Sequence, residues 1–170
     1  YNKVTPKNFK RAIEYFEKAI TLEPNYAYAY AMLAEAHAFL GSTGQMQPND
    51  AFALVHKYSD NALQIDSTLS AGYAAKGSAY LLYDWKWNEA YESLQKAIEL
   101  NPAATDAHQL LSFYYLITGK NSEAVTIMEK ALEADPLSPI VNKSLVDAYL
   151  ISGRVDDALK QAELLLEMYP

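Results

Sequence analysis

The side chains that could do chemistry in this sequence are few, and they are badly placed for it. His37, His56 and His108 show no metal-ligand spacing, such as two histidines four apart on a helix, so no zinc motif is present. Cysteine is absent, which removes disulfides, thiolate nucleophiles and Cys-based zinc sites and leaves the redox compartment open. There is no Gly-rich loop to cradle a phosphate and no Gly-flanked nucleophilic serine. No pair of carboxylates is set apart from the solvated charges as an acid and base would be. The expectation is a segment that is not an enzyme, with no catalytic residue, no metal and no cofactor. What remains is recognition by a surface, and a surface needs elements to hold it.

Composition bounds those elements. The 170 residues fit one ordinary domain, and 51% hydrophobic with 21% charged residues is the balance of a folded soluble chain. No apolar run reaches the ~18 residues of a membrane span, and no basic and apolar leader opens the chain. A cytoplasmic location is the resulting expectation. The sequence begins at Tyr1 rather than Met and stops at Pro170 inside a repeating pattern, so it reads as a piece of something longer. A net charge of −7 with 14 scattered basic residues argues against a general nucleic-acid binder, which gathers Lys and Arg on one face. The acidic surface suits solubility, or a partner of basic character.

One phrase recurs four times: EKAITLEP ending at Pro24, a drifted DNALQIDS ending at Ser67, QKAIELNP ending at Pro102, and EKALEADP ending at Pro136. The steps from Pro102 to Pro136 and from Pro136 to Pro170 are each 34 residues. Within each phrase apolar residues fall three and four apart, as in Ala12, Phe16, Ala19 and Ile20, which places one stripe on one helical face. Such a stripe requires a partner helix. Ala34, Gly77 and Ser112 are small enough to mark the close approach of two helices in a pair, with aromatics filling the gaps beside them. Thr5-Pro6 and Ser138-Pro139 are caps followed by proline at the first helical position. Gly119 and Gly153 fall where a first helix should end in the left-handed conformation, and Pro24, Pro102 and Pro136 separate one unit from the next.

This pattern resembles the tetratricopeptide repeat, whose first helix carries an aromatic, Leu-Gly and Tyr and whose second carries Ala, Phe, Ala and Pro. From Ala27 the slots hold Tyr30, Leu33, Ala34 and His37, then Val55, Ser59, Ala62 and Ser67. From Ser70 they hold Tyr73, Lys76, Gly77 and Tyr80, then Ala90, Leu94, Ala97 and Pro102. From Thr105 they hold His108, Leu111, Ser112 and Tyr115, then Ala124, Met128, Ala131 and Pro136. From Pro139 they hold Asn142, Leu145, Val146 and Tyr149, then Ala158, Ala162, Leu165 and Pro170. The resemblance implies an all-α, right-handed superhelical array of antiparallel helix pairs with nine helices. Its divisions are 1–26 for the second helix of a truncated repeat, 27–69 for a repeat with an insertion, then 70–104, 105–138 and 139–170. His37 and His108 then occupy packing slots, and most of the 14 tyrosines lie on faces that a neighbouring helix covers.

Two places depart from the pattern. The first full repeat carries nine extra residues in or beside Gly41 to Asp50, whose Gly, Ser, Thr, Gln, Pro and Asn content reads as loop. That loop either contacts a partner at the rim of the groove or is tolerated length variation. The second is Tyr83-Asp84-Trp85-Lys86-Trp87-Asn88, a turn with one extra residue and both tryptophans. A hydrophobic plug between neighbouring repeats accounts for it better than an aromatic cage. The phrases NKVTPKNFKRAIEYFEKAITLEP, QMQPNDAF and YDWKWNEAYESLQKAIELNP are similar to arrays at the C-terminal end of bacterial signalling proteins, where they follow a cyclase-like, kinase or winged-helix DNA-binding module.

In such arrays the first helix of each pair lines a concave face on the side away from its packing slots. Those offsets select Tyr28, Ala31, Glu35 and Phe39, then Ala71, Ala74 and Ser78, then Asp106, Gln109 and Phe113, then Lys143 and Asp147. On this reading Phe39 and Phe113 are apolar anchors, the small residues of the second repeat leave a depression, and Glu35, Asp106 and Asp147 make the face acidic. Family members that grip a C-terminal carboxylate use Lys, Arg and Asn there, and Lys143 alone cannot make that clamp. The expected function is a protein-interaction scaffold for a peptide or helical segment, apolar with some basic character, within a larger bacterial signalling protein. The alternatives are the sensory end of a nucleotide cyclase, a kinase or a DNA-binding regulator, and a self-association module whose exposed ends stack. Direct binding to nucleic acid or membrane is not expected.

Overall fold

Apolar stripes repeated at helical spacing give α-helices throughout the structure, a computed structural model that describes residues 6–169. Thr5, read above as a helix cap, and Pro170, read as the close of the last repeat, lie outside the described residues. The described residues contain nine α-helices and no strand: α1 (Pro6–Leu22), α2 (Ala27–Ser42), α3 (Pro48–Ile65), α4 (Ser70–Ala79), α5 (Trp87–Leu100), α6 (Thr105–Ile117), α7 (Asn121–Ala134), α8 (Pro139–Ile151) and α9 (Val155–Met168). Consecutive helices pack as antiparallel pairs, α2 with α3, α4 with α5, α6 with α7 and α8 with α9, while α1 packs on α2. The helices fall into two compact units, one running to Leu100 and the other from Asn101.

The packing slots hold in both units. Leu33, Val55, Ala62, Leu94 and Ala97 are fully buried in the first, as are Leu111, Ala124 and Met128 in the second. Burying a Leu or Met side chain contributes about 1.5–3 kcal/mol, so these residues rather than helix propensity hold the pairs together. Close approach is visible at the small residues. A Cβ built on Gly77 would lie 2.8 Å from Leu94, and the Ser112 hydroxyl of α6 donates to the Ala124 carbonyl of α7 at 3.1 Å. His37 and His108 are buried. Of the tyrosines described, Tyr15, Tyr26, Tyr28 and Tyr169 are exposed and the rest are buried or half-buried.

Helix ends follow the local signals. Gly119 and Gly153 both have φ +76°, and the following N–H groups of Lys120 and Arg154 reach back to the Tyr115 and Tyr149 carbonyls at 2.8 Å. That is the six-to-one closure of a Schellman motif. Pro139 opens α8 behind Ser138, whose hydroxyl accepts the Val141 N–H at 3.4 Å.

The insertion is not the loop that its composition suggests. Compared with the pair α6 and α7, α2 is three residues longer and α3 four longer, and the connection Thr43–Gln47 has two more residues than Thr118–Lys120. Lengthening by nearly whole turns keeps each apolar stripe in phase. Gly41 is buried inside this extension because a Cβ there would come within 2.7 Å of Ala51 and 3.1 Å of Phe52. The glycine is used for packing and does not break the helix.

The tryptophans do not form a plug. Tyr80–Asp84 continue α4 as a single π-helical turn that ends at Trp85 in the left-handed conformation, φ 58°. Trp85 is 65% and Trp87 36% exposed, and their rings meet edge to face at 5.6 Å. The same turn makes a polar contact that sequence spacing could not reveal, between His56 Nε2 on α3 and Asp84 Oδ2 at 2.9 Å. Tyr83 connects the turn to the extended α3, donating its hydroxyl to Asn49 Oδ1 at 2.5 Å and stacking on Phe52 at 4.9 Å. The two irregular places of the sequence therefore meet within the first unit.

Candidate functional site

In the second unit, α6 and α8 lie side by side. The face of α6 that carries His108, Leu111 and Ser112 is buried, and the face of α8 that carries Asn142, Leu145 and Tyr149 is buried likewise. Residues one step around each helix are thereby left facing outward. Gln109, Phe113 and Leu116 of α6, with the buried Ser112 also in the lining, face Ser144, Asp147, Leu150 and Ile151 of α8 across an open groove of about 340 Å³. Gln109 Nε2 donates to Ser144 Oγ at 2.8 Å and closes the polar end. At the other end Phe113 is 44% exposed, Leu150 50% and Ile151 58%.

Three of the residues selected by repeat offsets, Gln109, Phe113 and Asp147, thus line one groove. Lys143 sits beside it, with its ammonium 2.6 Å from Asp147 Oδ2. Both side chains are at least half exposed, so this i,i+4 pair contributes only about 0.3–0.5 kcal/mol. Asp106 is half-buried in the first turn of α6, where the helix N-terminus favours a carboxylate, and does not line the groove. Leu116, Ser144, Leu150 and Ile151 were missed by the sequence reading. Their signal was present, because Leu116 lies three residues beyond Phe113, and Leu150 and Ile151 lie three and four beyond Asp147.

The first unit does not supply the matching surface. Tyr28 is 47% exposed and Glu35 is exposed. Phe39, however, is half-buried because Phe9 of α1 stacks on it with ring centroids 4.0 Å apart. It packs a helix of its own chain and does not stand as a free anchor. Ala74 is 1% and Ser78 5% exposed, and the Ser78 hydroxyl donates to the Ala75 carbonyl at 2.7 Å. No depression exists at these positions. Small residues serve close packing on α4, where Ala75 and Ala79 join Ala34 and Ala38 of α2 in one buried cluster.

Among the described residues, no group of three or more His, Asp and Glu could hold a metal ion, and no helix is long and apolar enough to cross a membrane. His37 is stacked on Tyr58 with centroids 5.7 Å apart, and its Nδ1 has no hydrogen-bond partner. Burial pushes its pKa below the ordinary histidine value, against a weaker opposing pull from Glu17.

Comparison with known proteins agrees with this geometry. Family models described as tetratricopeptide repeat match residues 114–170 and residues 7–26. A crystal structure of the MamA protein is 27% identical over 95% of this chain and 83% of its own, with a TM-score of 0.61. A thermophilic TPR protein of Thermus thermophilus is 24% identical over 95% of this chain and 84% of its own, with a TM-score of 0.76. Pseudomonas aeruginosa pilF is 23% identical over 96% of this chain and 70% of its own, with a TM-score of 0.67. The last two likenesses are likenesses of fold. No curated protein is significantly similar. Residues 7–26 and 114–170 thus match tetratricopeptide repeats, and the fold is the all-α array of antiparallel helix pairs of the tetratricopeptide superhelix class.

Proposed function

We propose that this chain is a protein-interaction scaffold and that the groove between α6 and α8 receives a segment of the partner. The observation that supports the reading is the meeting of Gln109, Phe113 and Asp147 in one groove whose large apolar residues are left half exposed. Contiguous apolar surface of this kind marks interaction sites on soluble proteins. Tetratricopeptide-repeat proteins act as scaffolds of this sort, and the groove brings that role to particular residues here. In the same reading the array is the cytoplasmic regulatory part of a larger bacterial signalling protein. Any cyclase, kinase or DNA-binding activity then belongs to a separate module, and this segment performs no catalysis.

A second reading, self-association, is favoured by α9. Positions 34 residues earlier on α7 hold Val125, which is 2% exposed, and Leu132, which is half-buried against the same core. Their equivalents on α9, Leu159 and Leu166, are 58% and 69% exposed. On this reading a second copy would cover them as α8 covers α7, the place that a following helix of a longer chain would otherwise take.

The test is titration of a partner recovered by pull-down from the native host against Phe113→Ala, Asp147→Asn and a variant with Gln45 and Gln47 replaced by Ser. Phe113→Ala should weaken binding roughly ten- to hundredfold with unchanged helicity. Binding that ignores Phe113 but disappears with the loop variant would place the site at the α2–α3 connection. Sedimentation at several concentrations, with Leu159→Glu as control, separates the second reading from a monomeric scaffold.

A further inference from the structure

Resting on the groove reading above, we infer that the occupant is an amphipathic helix of a partner protein, carrying a lysine or arginine one helical turn from its large apolar residues. The groove is built in three tiers. Gln109 and Ser144 form a polar tier, Phe113 and Asp147 the middle one, and Leu116, Leu150 and Ile151 an apolar one. Along α6 and α8 successive tiers are three or four residues apart, about 5 Å at a rise of 1.5 Å per residue. A helix laid along the groove presents side chains at the same interval, with i, i+3 or i+4, and i+7 on one face. Alternate residues of an extended segment are about 6.6–6.8 Å apart, so its third contact would overshoot the last tier by about 3 Å. The interval therefore favours a helix.

Charge selects the basic residue. From Asn101 to Pro170 there are ten acidic and five basic residues, a net of −5 out of the chain's −7. Asp147 is the charged member of the groove lining. Its ion pair with Lys143 is exposed and weak, so an incoming cation can share or replace it. The apolar tier lies three and four residues from Asp147, which sets the one-turn separation between base and apolar residues in the ligand. In a second copy of this chain α1 is a poor source. Its apolar face, where Lys10 and Arg11 stand beside Phe9, Ile13 and Phe16, is half-buried against its own chain, with Phe9 on Phe39. The competing source is α9, with Lys160 one turn from the exposed Leu164, which a test for dimers of the chain separates from a partner.

Fluorescein-labelled, alanine-rich peptides of about 16 residues, long enough to form measurable helix, test this by anisotropy. One carries Lys at i with Leu at i+3, i+4 and i+7, and a twin has the order reversed. One of the two should bind, at least tenfold more tightly than its Lys→Glu counterpart and than a version interrupted by a central proline. Asp147→Asn should bring the Lys and Glu peptides to within about twofold of each other, and Phe113→Ala should weaken both. Equal binding of the proline-interrupted peptide, still dependent on Phe113, would overturn the helix and leave the groove reading standing. Binding that ignores Phe113 would remove the groove itself. No binding of any peptide at millimolar concentration, or a dimer of the chain alone that Phe113→Ala abolishes, would overturn the assignment to a partner helix.

Discussion

Gly77→Ala should destabilise the protein even though it replaces a glycine inside a helix. Helix propensity alone favours the change by about 0.8–1 kcal/mol. Against it, the new Cβ would lie 2.8 Å from both Cγ and Cδ2 of Leu94 and 3.4 Å from the Leu94 backbone nitrogen. That is about 1 Å inside ordinary carbon contact. Leu94 is fully buried and has nowhere to turn, so either it leaves its rotamer or α4 and α5 part. Overpacking costs about 1–3 kcal/mol, and full burial of Leu94 puts this site in the upper part of that range, about 2–3 kcal/mol, leaving a net loss of about 1–2 kcal/mol. Gly72→Ala is the matched control. Its Cβ would also meet a leucine, Leu63, at 2.8 Å from Cδ2 and 3.0 Å from Cγ, but Leu63 is only half-buried and has more room to shift than Leu94. That variant should be within about 0.5 kcal/mol of the parent or more stable. Urea unfolding followed by circular dichroism, with equal m-values, measures both. A Gly77 variant as stable as the parent, or a Gly72 variant that loses more, would refute the claim that the mobility of the opposing leucine decides the sign.

Ala131→Glu places a carboxylate at a position 1% exposed in the core shared with Val141 and Leu145. A cost of about 3 kcal/mol or more is expected, and an unchanged melting temperature would mean that the repeat register is wrong. Gly119→Ala and Gly153→Ala meet no atom within 4 Å, so their expected cost of about 1–2 kcal/mol each is purely that of a left-handed residue with a Cβ. Asn at either site should recover much of it in thermal melts. His37 is held neutral by burial, with its folded pKa depressed below the unfolded value. The unfolded state then binds the extra proton, so the stability this residue contributes is complete above the ordinary histidine pKa and is lost as pH falls toward the folded one. Melting temperatures of parent and His37→Phe should diverge in slope across that window, and parallel curves would refute it.

The core was legible because two independent periodicities, the helical three-and-four and the 34-residue step, pick the same residues. Leu94, Leu111 and Leu145 follow from either. The groove was legible only where nothing further packs on it. Gln109, Phe113 and Asp147 line one groove, whereas the equivalent offsets in the first unit do not come together, because a one-dimensional pattern does not say which helix comes next. Phe39 meets Phe9 of α1, and Ala74 and Ser78 are covered for the very reason they looked like a hollow, their small size. Gly41 shows the same ambiguity, since a glycine for close packing against Ala51 and a glycine that ends a helix are written identically. The His56 to Asp84 contact had no signal at all, because it depends on a π-helical turn that leaves no period to read.

Because the two tryptophans stand just after the π-helical turn and at the first residue of α5, the molecule has a spectroscopic asymmetry. Indole emission comes wholly from the unit that ends at Leu100, whereas the far-ultraviolet signal is spread over helices of both units. Trp85, largely in water, should emit at long wavelength even in the native protein and be reached readily by a soluble quencher such as iodide, and Trp87 less so. Comparing the two optical signals during unfolding would show whether the residues after Leu100 melt with the tryptophan-bearing ones or apart from them, with no label introduced.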